Sequence, residues 1–475
     1  MPASELIAKT ATEIVGLLRQ GEVTPHDLLD ALAARVAEVD GAVNALPTLC
    51  FERAHDRAKA LTDKPPTERG VLAGMPVAIK DLLDVAGVRS TQGSPIFADH
   101  VPERSDVTVE MLEQAGGLIY AKSNTPEFGA GANTFNEVFG RTLNPWDTTK
   151  SCAGSSGGSA VALATGMAWL ASGSDLGGSL RNPASFCGVV GFRPSPGRVA
   201  HGPSATPFMT MSVEGPMART VPDVALMLDA MSGRHPVDPI SLEKPATSFV
   251  DAVAQRRRPA KVAFSIDLGG ITPVDPEVAR IVEAAARRFE DMGVAVVEAT
   301  PDFSDVQEIF QTLRAMQFAT AKRALLTTHR DQLKPEVIWN IEKGLALTME
   351  EIASAELARG RLYQRVETFF RDYDLLLSPA TIVPPYPVEQ RYVESCGGHS
   401  FSNYIEWCTV AYAITCASCP AVSVPAGFTA SGLPVGLQIA GRPRGEADLL
   451  SAAALYEEAA GLANKIPIDP ITPAA

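Results

Sequence analysis

A chain of 475 residues is long enough for a large core, by length either two or three domains or one large α/β unit. With 41 basic and 55 acidic side chains the formal net charge is −14, and an acidic chain without a basic block argues against direct nucleic-acid binding. The sequence has no apolar run of the ~18 residues a membrane span needs and no charged head before an apolar block; its 7 cysteines, an odd and modest number, fit a reducing cytoplasm better than a disulfide framework.

Residues 4–20 and 25–38 read as two amphipathic helices, the second opened by Thr24 as N-cap and Pro25 at the first helical position. Residues 71–80 form a strand: Leu72, Met75, Val77, Ala78 and Ile79 make it apolar, and Lys80 ends it. A helix over 106–115 and a strand over 117–122 lead to Ser123 and Asn124. Residues 159–170 read as an alanine-rich helix and 168–172 as a short strand. A helix spans 221–232, and 234–259 is a proline-punctuated connection before a strand at 260–265. Helices follow at 276–292, 305–330, 335–345 and 349–371, then a buried strand at 375–379 enters the loop with Pro384 and Pro385. Alternating strands and helices predict an α/β architecture with a sheet covered on both faces.

The chemistry concentrates in three segments. Ser151-Cys152-Ala153-Gly154-Ser155-Ser156-Gly157-Gly158-Ser159 is followed by Asp175-Leu176-Gly177-Gly178-Ser179-Leu180-Arg181, and Lys80 stands upstream in Gly74-Met75-Pro76-Val77-Ala78-Ile79-Lys80-Asp81. A serine hydroxyl needs a base to act as a nucleophile, and Ser-Lys arrangements are an alternative to histidine. The lysine must be neutral, which burial in an apolar strand favours by penalising the ammonium. Glycines beside a serine let successive N–H groups close on one oxyanion. A phosphate loop is a poorer reading, because no Gly-x-x-x-x-Gly-Lys-Ser/Thr occurs, and no Gly-x-Ser-x-Gly elbow frames Ser155 or Ser179. Asp175 and Arg181 flank Ser179 and are expected to brace its loop through charge-assisted bonds. Composition leaves open whether Ser155 or Ser156 bridges to the lysine. Cys416-x-x-Cys419 with Cys396 and His399 has zinc-like spacing, yet its neighbours read as small-residue core. His201 is the histidine nearest the motifs and has no vacant role to fill.

These segments resemble the amidase signature family of serine hydrolases. Further matches are Gly191-Phe192-Arg193-Pro194-Ser195-Pro196-Gly197-Arg198-Val199, Gly215-Pro216-Met217-Ala218-Arg219-Thr220 and Gly432-Leu433-Pro434-Val435-Gly436-Leu437-Gln438. The resemblance implies one α/β sandwich over 1–475 around a large mixed sheet with helices on both faces. Within it, 1–70 is an outer helical segment, 71–232 the catalytic core, and about 300–372 a variable helical segment covering the cleft. It implies Ser179 as nucleophile, Ser155 as the bridging serine on a cis peptide bond to Gly154, and Lys80 as terminal base, with backbone N–H groups of Leu176, Gly177, Gly178 and Ser179 as the oxyanion hole. Asn124 would have a structural role.

The loop 201–215, with Phe208, Met209 and Met211, is expected to reach the substrate, as is Gly154. Phe310, Met316, Phe318, Trp339 and Tyr363 are candidates for a pocket wall, with ordinary helix packing the simpler reading. The sequence departs from the family at Ala153, where glycine is usual; alanine is tolerable unless that position needs a positive φ. The implied activity is hydrolysis of a small-molecule amide through an acyl-enzyme, with carbamates (urethanes) and esters within reach of the same chemistry. No metal or cofactor is required, no nucleic acid or membrane is a direct partner, and a homodimer is left open. The alternative is the glutaminase (A-type) component of a glutamyl-tRNA(Gln) or aspartyl-tRNA(Asn) amidotransferase, releasing ammonia from glutamine.

Overall fold

The computed structural model describes residues 1–473. Among them, eleven strands form one mixed sheet. In chain order they are β1 (Thr48–Leu49), β2 (Pro76–Lys80), β3 (Leu118–Ser123), β4 (Leu170–Asp175), β5 (Val190–Arg193), β6 (Val213–Ala218), β7 (Lys261–Phe264), β8 (Ala295–Glu298), β9 (Leu375–Pro379), β10 (Ala421–Phe428) and β11 (Pro434–Gly441). Their spatial order is β1-β3-β2-β4-β6-β5-β10-β11-β9-β7-β8. β3, β2 and β4 are parallel, the pairs from β4 through β9 are antiparallel, and β9, β7 and β8 are parallel again. Successive residues of a strand face opposite sides of a sheet. Every residue of β2, β3, β4 and β11 is buried, so helices and loops cover both faces.

The chain-order expectations hold for most elements, and the departures have local causes. The helix expected over 4–20 is two, Ala3–Ala8 and Ala11–Gln20, because Thr10 and Glu13 form a capping box that starts a new helix. The strand expected over 71–80 begins only at Pro76, since Ala73 and Gly74 turn at φ 54° and 105°. The alanine-rich helix runs Gly157–Ala164 and stops before Gly166 at φ 75°, which frees 170–175 for β4. The connection at 234–259 holds a short helix, Phe249–Ala254, capped by Ser248. Helices Phe51–Thr62, Arg181–Cys187, Thr409–Cys416 and Glu446–Ala460 and strands β1, β5, β6, β8, β10 and β11 stand where no element was expected.

The N-terminal helices share one apolar cluster with the sheet, in which Ile14, Leu18, Leu28 and Leu32 are buried together with Val77, Ile79 and Ile119. A second cluster joins the helices after residue 305 to the Thr409–Cys416 helix, and Cys416 and Cys419 are buried in it. Among the described residues no group of three His, Cys, Asp or Glu side chains is placed to hold a metal. No described helix is long and apolar enough to cross a membrane.

Candidate active site

Lys80 is the last residue of β2 and is completely buried. Its backbone N–H donates to Ser172 Oγ on the neighbouring β4 at 3.0 Å. Its Nζ lies 2.7 Å from Ser155 Oγ, 2.8 Å from Ser174 Oγ and 3.0 Å from Ser156 Oγ. Burial pulls the Lys80 ammonium well below the ordinary lysine range, and the nearby carboxylates of Glu214 and Asp175 only partly offset it.

The peptide bond between Gly154 and Ser155 is cis. Ser155 and Ser179 open onto one cavity of about 160 Å³, shared with Leu82, Phe128, Leu176 and Phe318. Ser156 instead turns its Oγ to β4, accepting from the Ser174 N–H at 3.3 Å. Both serines contact the lysine, and of the two it is Ser155 that lines the cavity. Ser174 was not singled out by sequence. Its signal was the period-two alternation of Ser172 and Ser174 on β4, which puts both on one face.

The loop after β4 carries Ser179. Asp175 ends the strand and accepts from Arg181 Nη2 at 2.8 Å, Arg181 Nε at 3.0 Å and Arg193 Nη1 at 3.0 Å. Burial alone would raise the Asp175 carboxyl; the two guanidiniums outweigh it and hold the group well below the usual carboxylate range. Arg181 continues to Ala411 O at 2.8 Å and Gln438 Oε1 at 2.6 Å. The brace expected from Asp175 and Arg181 therefore has two more members, Arg193 and Gln438.

Of the four N–H groups expected to bind an oxyanion, one has a partner within the protein. The Gly178 N–H donates to Asp175 Oδ1 at 3.1 Å, because Gly178 turns at φ 105°. A Cβ there would meet Ala411 Cβ and Asn182 Oδ1 at 2.6 Å, so no side chain fits. The N–H groups of Leu176, Gly177 and Ser179 make no hydrogen bond to the described chain.

The remaining candidates are scattered. Phe208 is 75% exposed and, like Met209, does not line the cavity. Met211 is buried in the second apolar cluster, where its carbonyl accepts from Arg193. Gly154 packs under Thr134, whose Oγ1 would be 3.0 Å from a Cβ. Of the five aromatic and methionine candidates on the later helices, Phe318 lines the cavity. Phe310 stacks on Tyr412 at 4.1 Å, Trp339 packs edge-on against Tyr404, and Tyr363 is 41% exposed. Asn124 ties loops together, donating to Thr142 Oγ1 at 3.0 Å and accepting from Asn136 at 2.7 Å. His201 does not line the cavity. Ala153 sits at φ 57°, the left-handed region that disfavours L-residues by about 1–2 kcal/mol. This is the condition under which alanine was expected to be strained, and the roughly 0.8 kcal/mol gained by its buried methyl offsets the strain only in part.

Comparison with known proteins identifies the family. The family model described as Amidase matches residues 27–450. An acylamidase of Rhodococcus erythropolis is 36% identical over 465 residues, 97% of each chain. The A-type component of the glutamyl-tRNA(Gln) amidotransferase of Moorella thermoacetica is 34% identical over 482 residues, 96% of this chain and 97% of that one. The crystal structure of a bacterial aryl acylamidase of the amidase signature family superposes with a TM-score of 0.89 at 27% identity, covering 96% of this chain and 97% of the other.

Proposed function

This chain belongs to the amidase family and hydrolyses amide C–N bonds, and from that premise we propose that it works through an acyl-enzyme on Ser179, with Lys80 as terminal base and Ser155 as the relay. The observation that carries the reading is the buried Lys80 Nζ 2.7 Å from Ser155 Oγ, with Ser155 and Ser179 on one cavity.

Neutral Lys80 accepts the Ser155 proton as Ser155 accepts the proton of Ser179, and Ser179 Oγ attacks the carbonyl carbon. The N–H groups of Leu176, Gly177 and Ser179 hold the charge that develops on the carbonyl oxygen. Collapse of the tetrahedral intermediate breaks the C–N bond, and Ser155 delivers its proton to the leaving nitrogen while Lys80 returns one to Ser155. An unprotonated amine leaves poorly, so this delivery is the demanding step for amides. Water then attacks the acyl-enzyme by the same relay, releasing the acid and restoring Ser179. The steps balance with water alone, and carbamates and esters follow the same course. All seven cysteines are free, which supports placing the enzyme in a reducing cytoplasm.

The test is turnover of an anilide, a carbamate, an ester, a fatty amide and glutamine by wild type and by Ser179→Ala. Hydrolysis that drops by at least ~10³-fold in the variant is expected from loss of a nucleophile; an unchanged rate refutes the assignment. A second reading, the glutaminase component of an amidotransferase, draws on the likeness to such proteins. Glutamine hydrolysis seen only when the other components of such a complex are present would favour it.

A further inference from the structure

The wall of the cavity facing the two serines is cationic. It is one face of the Val306–Thr328 helix, on which Arg314, Gln317, Phe318, Ala321 and Lys322 recur at helical spacing and line the cavity. Arg314 is 3% exposed. Its guanidinium donates to Asn340 Oδ1 and to the Tyr404 hydroxyl, both uncharged, and its Nε–H is buried without a partner. Gln317 Oε1 is likewise buried and unpartnered. Lys322 Nζ stands 3.8 Å from the centre of the Phe128 ring.

Three other buried cations are paired with carboxylates, Lys122 with Asp81 at 2.6 Å and Arg181 and Arg193 with Asp175 at 2.8 and 3.0 Å, while the buried Arg219 donates to the Ile7 and Lys9 carbonyls. Arg314 and Lys322 form no ion pair among the described residues. The carboxylate that acts on Lys322, Glu127, is already committed, accepting from the Ser94 hydroxyl at 2.6 Å and the Lys334 N–H at 2.8 Å. Arg314, buried with no carboxylate bonded to it, and the half-buried Lys322, which only Glu127 offsets, are better stabilised once an anion enters between them. Away from this helix and the serines the lining includes the apolar Leu82, Phe128 and Leu176. A ligand that satisfies every surface has an amide at one end, a short hydrocarbon spacer and a carboxylate at the other.

We propose that Arg314 and Lys322 bind a carboxylate of the substrate, so that this enzyme acts on amides that carry a free acid group. The proposal rests on Ser179 as the nucleophile, since that fixes which end of the cavity holds the amide. Burial lowers the Lys322 ammonium to about 8, and a bound carboxylate would hold it charged.

The experiment compares matched pairs. Glutaramate against glutaramide and adipamate against adipamide place the charge on the acyl half; N-acetyl-β-alanine against N-acetylpropylamine places it on the leaving half. kcat/KM is measured for wild type, Lys322→Met and Lys322→Gln. In parallel, binding of each compound to Ser179→Ala, with and without the Lys322 changes, is followed by calorimetry. The expected result is a preference of about tenfold or more, ~1.4 kcal/mol, for the charged member of at least one pair, falling toward unity in both Lys322 variants. The halves preferred say which side of the scissile bond faces the helix. Equal or weaker handling of every charged member, or a preference that survives both Lys322 changes, overturns the proposal. Charge-selective binding to Ser179→Ala without turnover by wild type upholds the anion site and fails the hydrolytic reading instead.

Discussion

In the proposed relay, Lys80 makes the reaction pH-dependent through one side chain. Its ammonium is lowered from 10.5 to about 7, first by burial, and only the neutral amine can take the Ser155 proton. Activity is therefore present above that value and lost below it: kcat/KM should fall about tenfold per unit of pH on the acid side. A rate unchanged down to pH 5 refutes the role. Glu214 enters the same balance. It lies directly opposite Ser174 in the β4–β6 register, so both side chains share the face that Lys80 occupies, and its Oε2 is buried without a partner. Burial raises the Glu214 carboxyl, and whatever negative charge it carries favours the ammonium of Lys80. Glu214→Gln removes that charge, so the acid limb of the profile should move to lower pH; an unmoved limb would show that Glu214 does not act on Lys80.

At the scale of an element, the loop bearing Ser179 is only as rigid as its brace. Two guanidiniums converge on one buried carboxylate, and three backbone N–H groups remain free because the fourth, of Gly178, is tied to the same carboxylate. Asp175→Asn keeps the shape and removes the charge, leaving Arg181 and Arg193 buried and uncompensated. Breaking such a group costs about 3–5 kcal/mol, read as a lower denaturation midpoint. A fall in kcat larger than any change in KM is expected with it, since the loop positions the nucleophile. A variant as stable as wild type would mean that the arginines find other partners.

For the whole molecule, the question is whether the first helices are an appendage or part of the fold. Leu18, Leu28, Leu32 and Val43 are fully buried in the cluster that also holds Val77 and Ile79 of β2. Arg219 donates to the Ile7 and Lys9 carbonyls, and Asp223 accepts from the Thr12 N–H at 2.8 Å. Deleting residues 1–43 should abolish the cooperative thermal transition and leave aggregated protein; a truncated chain that unfolds cooperatively and retains activity would make the segment dispensable. The same contrast between near and distant neighbours separates what was readable in the chain from what was not. Glycine placement, the apolar run ending in Lys80, the capping residues and the Ser155 and Ser179 motifs act through their own backbone neighbourhood, so the sequence alone marked the lysine strand, the serine loops and most helices. Glu214 and the Arg314–Lys322 wall come from segments far from the serine motifs in the chain. They meet only because strand register and helix docking bring them onto one face, and no local pattern encodes that. Phe208 makes the converse point: close to the motifs in sequence, it is turned to solvent, because the side on which a loop residue emerges is decided by what the rest of the chain has already filled.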